Sequence, residues 1–112
     1  MDCLFCKIVA KDIPSQPIVE TDQVIVIPDI APKDKVHVLA IPKQHLVSLN
    51  DITDQNKSIL AELGIAIRQT VQKLGIAESG YKVIVNNGRD GGQAVPHLHM
   101  HVLGGERVQG IT

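Results

Sequence analysis

His97, His99 and His101 place three of the chain's five histidines within five positions, in the run Ala94-Val95-Pro96-His97-Leu98-His99-Met100-His101-Val102-Leu103. Imidazole has a reference pKa of about 6.5, so at neutral pH it can attack as a base, carry a proton or bind a metal. A strand alternates its faces, which puts the three imidazoles on one side and Leu98, Met100 and Val102 on the other. Three chemistries compete for such a row. It could be no more than a solvated polar face. It could be a three-histidine metal site, but at about 3.3 Å per residue positions 97 and 101 lie roughly 13 Å apart on a flat strand. Zinc–nitrogen bonds of about 2.0–2.1 Å do not span that. The third is divided labour along a phosphorylated substrate. The middle imidazole attacks phosphorus, and its neighbours orient it and contact the phosphate.

The segment before the row fits the third chemistry. Asn86-Asn87-Gly88-Arg89-Asp90-Gly91-Gly92-Gln93 is dense in turn formers. Its glycines predict a backbone nest whose N–H groups point at an anion, with Asn86 adding a side-chain donor. Such donors would stabilise charge developing on a phosphoryl oxygen. A second motif is Cys3-Leu4-Phe5-Cys6, with spacing suited to redox chemistry, to a metal or to no special role. A thioredoxin-like use would need a βαβ context, which this sequence lacks. A structural zinc would need two further ligands.

The elements that must hold these groups follow from hydrophobic periodicity. Leu4, Phe5, Ile8 and Val9 predict a short N-terminal helix, ended by Asp12-Ile13-Pro14-Ser15. Strands are expected at Ile18–Glu20, Val24–Ile27, Val36–Ile41, Tyr81–Val85 and Leu98–Leu103. One long helix is expected from Thr53 to Leu74, capped by Thr53 or Asp54. Its apolar stripe is Leu60, Leu63, Ile67, Val71 and Leu74, and Gly75 lies just past its end. Gly64 inside it costs about 1 kcal/mol relative to Ala, which predicts close packing on the sheet. The expectation is an α+β domain: a five-stranded antiparallel sheet with one long helix and a short N-terminal one.

Composition sets the bounds. The 112 residues predict one domain, 1–112. With one Phe, one Tyr and no Trp the core must be aliphatic. A net charge of -1 argues against a nucleic-acid polymer or an anionic membrane surface as partner, though not against a small phosphorylated ligand. No leader is visible at Met1-Asp2-Cys3 and no run approaches the roughly 20 apolar residues of a membrane span, so a cytoplasmic location is expected.

The run from His97 to Leu103 resembles the histidine triad motif, His-φ-His-φ-His-φ-φ with φ apolar. The resemblance extends over nearly the whole chain through Phe5-Cys6-Lys7-Ile8, Ile13-Pro14, Pro28-Asp29-Ile30, His37-Val38-Leu39, Ile41-Pro42-Lys43-Gln44-His45, Asn86 and Asp90-Gly91-Gly92-Gln93. Gly91-Gly92-Gln93 and Leu103-Gly104-Gly105 resemble the nucleotide-binding branch more than the dinucleoside polyphosphate hydrolases. The resemblance implies a homodimer whose sheet continues across the two chains. It implies binding of purine nucleoside monophosphates and hydrolysis of the P–N bond of nucleoside 5'-phosphoramidates. His99 would form a nucleotidyl-histidine intermediate, with His97 and His37 supporting it. His101, Asn86 and the backbone near Gly92 and Val95 would contact the phosphate. Asp29 would bind the ribose, and Phe5, Ile8, Ile27, Ile30 and Leu39 would sandwich the base. It also implies zinc held by Cys3, Cys6, His45 and His97.

One departure stands out. Ala94 occupies a position where many phosphoramidases of this family carry a serine that protonates the departing amine. Alanine has no such proton, which keeps open a nucleotide- or partner-binding protein with little catalysis. Pro96 stands where an aromatic residue is common, and the sequence runs on only briefly after Glu106-Arg107. Dinucleoside polyphosphate hydrolysis is the alternative enzymatic reading.

Overall fold

The computed structural model describes residues 3–110. Met1 and Asp2, at the start of the segment in which no leader is expected, lie outside them. The first element is helix α1, Leu4–Val9, as the periodicity predicts. It stops at Ala10 because Lys11 turns the chain into the left-handed region at φ 67°, ahead of the proline expected to end it. Strands β1 (Val19–Glu20), β2 (Val24–Pro28) and β3 (Val36–Pro42) follow, then helix α2 (Ser58–Lys73), β4 (Tyr81–Val85) and β5 (Met100–Gly104). A short 3-10 turn, Leu49–Asp51, lies between β3 and α2, where hydrophobic periodicity predicts no element.

The strands form one antiparallel sheet in the order β1-β2-β3-β5-β4. The central strands bury both faces, because a helix lies on each side. Val24, Val26, Val38, Ala40, Leu98 and Val102 pack with Leu63, Ala66, Ile67 and Val71 of α2. Ile25, Ile27, Leu39 and Ile41 point the other way and pack with Cys3, Phe5 and Ile8 at α1. This alternation is the period of two expected of strands, and it places His101 on the α1 side, opposite Leu39.

Three expectations are corrected. First, α2 begins at Ser58 rather than Thr53, and its cap residue Lys57 makes no side-chain cap bond. Residues 53–57 form a separate turn, in which the Asn56 side chain accepts from the Thr53 N–H at 2.7 Å and donates to the Asp51 carbonyl at 3.0 Å. Second, the buried face of α2 is Ile59, Leu63, Ala66, Ile67, Thr70 and Val71, while Leu60 is exposed. Gly64 is exposed too, and a Cβ there would meet nothing within 4 Å, so it does not pack on the sheet. Third, β5 starts at Met100, not Leu98. The last pair of its ladder with β3 is Ala40 with Met100. Beyond it Pro42 has no N–H to offer, and its carbonyl is taken by the His97 ring at 2.8 Å. His97 to His99 therefore run as irregular chain, with the Leu98 N–H donating to the Leu46 carbonyl at 2.6 Å. Gly75 does follow the helix as expected, at φ 73°. No helix among the described residues is long and apolar enough to cross a membrane.

Candidate active site

The irregular start of the histidine segment lets its rings do different things. The His99 Nδ1–H donates to the His97 carbonyl oxygen at 2.7 Å. That bond fixes the tautomer with the lone pair on Nε2. His99 is buried, and it lines a cavity of about 550 Å³ with His101. The Phe5 ring meets His99 edge-on, centroids 5.1 Å apart, which limits the imidazole's rotation.

His101 is oriented by a chain of donors. The Lys33 backbone N–H donates to His37 Nδ1 at 3.1 Å. The His37 proton must then sit on Nε2, which lies 2.9 Å from His101 Nδ1 and 3.4 Å from Asp29 Oδ2. His37 Nε2–H donates to His101, whose own proton is left on Nε2 as a donor for an anion. Burial, reinforced by His99 and His37 and opposed by Asp29, holds the His101 pKa below the usual imidazole value. It is therefore neutral at pH 7. Asp29, His37 and His101 could be read as a metal cluster. The Lys33 bond argues otherwise, since a metal on His37 Nε2 would have to displace that proton.

The base of the cavity is apolar. Phe5, Ile8, Ile27 and Leu39 line it, with Asp29, Val95 and Ala94. Ile30 belongs to the rim and is 98% exposed, so it does not sandwich anything unaided. Asp29 Oδ1 accepts the Ala31 N–H at 2.8 Å, which holds the β2–β3 turn. The sequence reading missed one wall, formed by Ile13, Pro14, Ser15 and Gln16. Its only signal was the Ile13-Pro14 motif.

The glycine loop is not the open nest expected. The Gly88 N–H donates to Gln93 Oε1 at 2.8 Å, and the Gly92 N–H to the Arg89 carbonyl at 3.1 Å. Asn86 Nδ2–H donates to the Gly91 carbonyl at 2.8 Å. Gln93 is the clamp, its Nε2 donating to the Val47 and Val95 carbonyls at 2.6 and 2.9 Å. The loop is thus a self-bonded brace that sets where Val95 enters the cavity. A Cβ on Gly91 would be driven into the Asn87 carbonyl oxygen. Gly91→Ala is expected to cost about 1–3 kcal/mol, because the backbone must shift to relieve that contact, and to lower the melting temperature by several degrees in a thermal melt. An unchanged melting temperature would show that the loop is not a rigid brace.

The remaining histidines meet the cysteines. The His97 Nε2–H donates to the Pro42 carbonyl, so its Nδ1 lone pair faces inward. That nitrogen lies 3.3 Å from Cys3 Sγ, 3.6 Å from Cys6 Sγ and 3.1 Å from His45 Nδ1. Cys6 Sγ is 3.2 Å from His45 Nδ1. The four donor atoms all lie within 4.8 Å of one another, and Cys3 and Cys6 form no disulfide among the described residues. Two thiols and two imidazoles converging with a lone pair already turned inward fit a tetrahedral zinc.

Residues 2–110 match the protein family described as scavenger mRNA decapping enzyme C-term binding. An uncharacterized HIT-like protein of Helicobacter pylori is 42% identical over 104 residues, covering 93% of this chain and 97% of that protein. A HIT family hydrolase from Clostridium thermocellum superposes with a TM-score of 0.94 at 43% identity, covering 98% of this chain and 96% of that one. A histidine triad nucleotide-binding protein from Candida albicans superposes with a TM-score of 0.82 at 32% identity, covering 99% and 86%. The family match and these relatives extend over nearly the full length, and the chain belongs to the histidine triad family.

Proposed function

We propose that this protein binds purine nucleoside monophosphates and hydrolyses the P–N bond of nucleoside 5'-phosphoramidates. The observation that carries the reading is the His99 tautomer. Its Nδ1–H is held by the His97 carbonyl, which leaves Nε2 free to attack at an apolar cavity beside a neutral His101. The hydrolase and nucleotide-binding names of the structural relatives support the same class.

The reaction runs as two displacements. His99 Nε2 attacks phosphorus, a bond forms to it, and the P–N bond breaks. The His101 Nε2–H donates to the phosphoryl oxygen as charge builds there. The amine leaves with a proton, and water then attacks the nucleotidyl-histidine, releasing AMP and restoring His99. Asp29 holds the ribose and the cavity between Phe5 and Leu39 takes the base. Ala94 lines the cavity without a proton to give, so protonation of the amine falls to water at the mouth. Ala94 also favours the second reading, nucleotide binding with little turnover. Adenosine 5'-phosphoramidate should be cleaved to AMP by the purified protein. Tight AMP binding without turnover across a panel of amine leaving groups would favour the second reading instead.

On this reading zinc is held by Cys3, Cys6, His45 and His97. It supplies a structural tie between α1 and the sheet.

The protein works as a homodimer. Strand β4 is a sheet edge, and Tyr81, Val83 and Ile84 on it are exposed. The outer face of α2 exposes Leu60 and Ile65 around Gly64. An apolar, unpaired edge is a pairing surface. Light scattering should give about twice the 12.1 kDa chain mass, and Val83→Asp should halve it. A 12.1 kDa particle for the unmodified chain would refute the dimer.

A further inference from the structure

The cysteine–histidine cluster and the nucleophile share one residue. His97 presents its ring to Cys3, Cys6 and His45, and its backbone carbonyl to the His99 Nδ1–H. The ring is held at its far end by the Pro42 carbonyl at 2.8 Å. A second link runs through α1. Cys3 caps that helix, its Sγ accepting the Cys6 N–H at 3.4 Å. The same helix carries Phe5 and Ile8 into the cavity wall. Phe5 touches both rings edge-on, at 5.9 Å from His97 and 5.1 Å from His99.

From this shared geometry we infer that His97 is a positioning residue through which metal occupancy of the Cys3, Cys6, His45 and His97 cluster sets the orientation of His99 and the affinity for nucleotide. The inference rests on the nucleotide reading above for its affinity arm only. His97 Nδ1 lies 3.1–3.6 Å from the Cys3 and Cys6 sulfurs and the His45 nitrogen. Metal bonds of about 2.0–2.3 Å would pin the ring at both ends. A pinned ring holds the carbonyl that holds His99, and pinned cysteines hold α1 and Phe5 against it. Coupling between two sites must also be reciprocal, so AMP must tighten metal binding by the factor by which metal tightens AMP binding.

The test uses the full chain, zinc-loaded and chelator-stripped, and a His45→Ala variant. His45 is a cluster member that does not line the cavity. The first readout is the ¹⁵N-histidine NMR spectrum without nucleotide. A single Nδ1-protonated His99 signal is expected with zinc, broadened or split in the stripped protein and in His45→Ala. The second is AMP affinity, expected to fall about tenfold on stripping, within the usual range of coupling. Zinc affinity should rise by the same factor with AMP present. Circular dichroism identifies any form that has unfolded. A stripped protein that unfolds overturns the proposal as stated, because the metal then acts on the fold and not on His99. An unchanged His99 signal in folded, stripped protein also overturns it. If AMP binds neither form while the His99 signal responds to zinc, the nucleotide reading fails and the coupling stands.

Discussion

His99→Ala should abolish phosphoramidate turnover while leaving AMP bound. The loss expected in kcat is on the order of 10⁴-fold or more, since removing a covalent nucleophile removes the pathway itself. The ring is buried, so the change leaves a small void beside Phe5, and the helix and sheet cores do not depend on it. AMP affinity by calorimetry should therefore move little. His101→Ala should behave differently. It removes one donor to a developing oxyanion, a loss of about 10²–10³-fold in kcat. A His99→Ala variant that turns over at the unmodified rate would remove His99 from the chemistry. Equal losses for the two variants would mean that the roles are not divided as proposed.

Leu98→Ala should be the most damaging change outside the catalytic groups. Leu98 is fully buried against the α2 layer, between the two histidines that face the other way. Deleting its side chain costs about 2–5 kcal/mol in lost transfer energy and cavity. Total stability of a domain of this class is about 5–15 kcal/mol. At about 4–8 °C per kcal/mol, the melting temperature should fall by roughly 10 °C or more. The backbone of residues 97–99 leans on that side chain, so activity should fall as well. Val47→Ala, at an exposed position, is the control and should stay within about 0.5 kcal/mol. A Leu98→Ala protein as stable as this control would show that the segment is held by its backbone bonds alone.

Much of this architecture is legible in the chain, because strong local patterns coincide with tertiary need. Tyr81–Val85 and Leu4–Val9 have the bounds that alternation and helical spacing predict. The sidedness of the triad is legible for the same reason, since Leu98 and Val102 must be buried and the histidines then face away. What escaped was decided by single hydrogen bonds. Asn56 closes a turn that delays α2, and the choice between Ile59 and Leu60 as the buried residue depends on that delay. Pro42 and the His97 ring end the β3–β5 ladder early. The loop glycines signal bending, but not that the Gly88 N–H is taken by the Gln93 side chain and the Gly92 N–H by the Arg89 carbonyl. The Lys33 N–H that sets the His37 tautomer carries no sequence signal, because any residue but proline supplies it.

The stereochemical course at phosphorus tests most directly whether the proposed covalent intermediate forms on His99. Each in-line displacement inverts phosphorus. Attack by His99 followed by attack by water therefore gives retention overall. A phosphoramidate made chiral at phosphorus, hydrolysed in isotopically labelled water, should yield AMP of retained configuration. Inversion would mean that water attacks directly and that His99 is not the nucleophile.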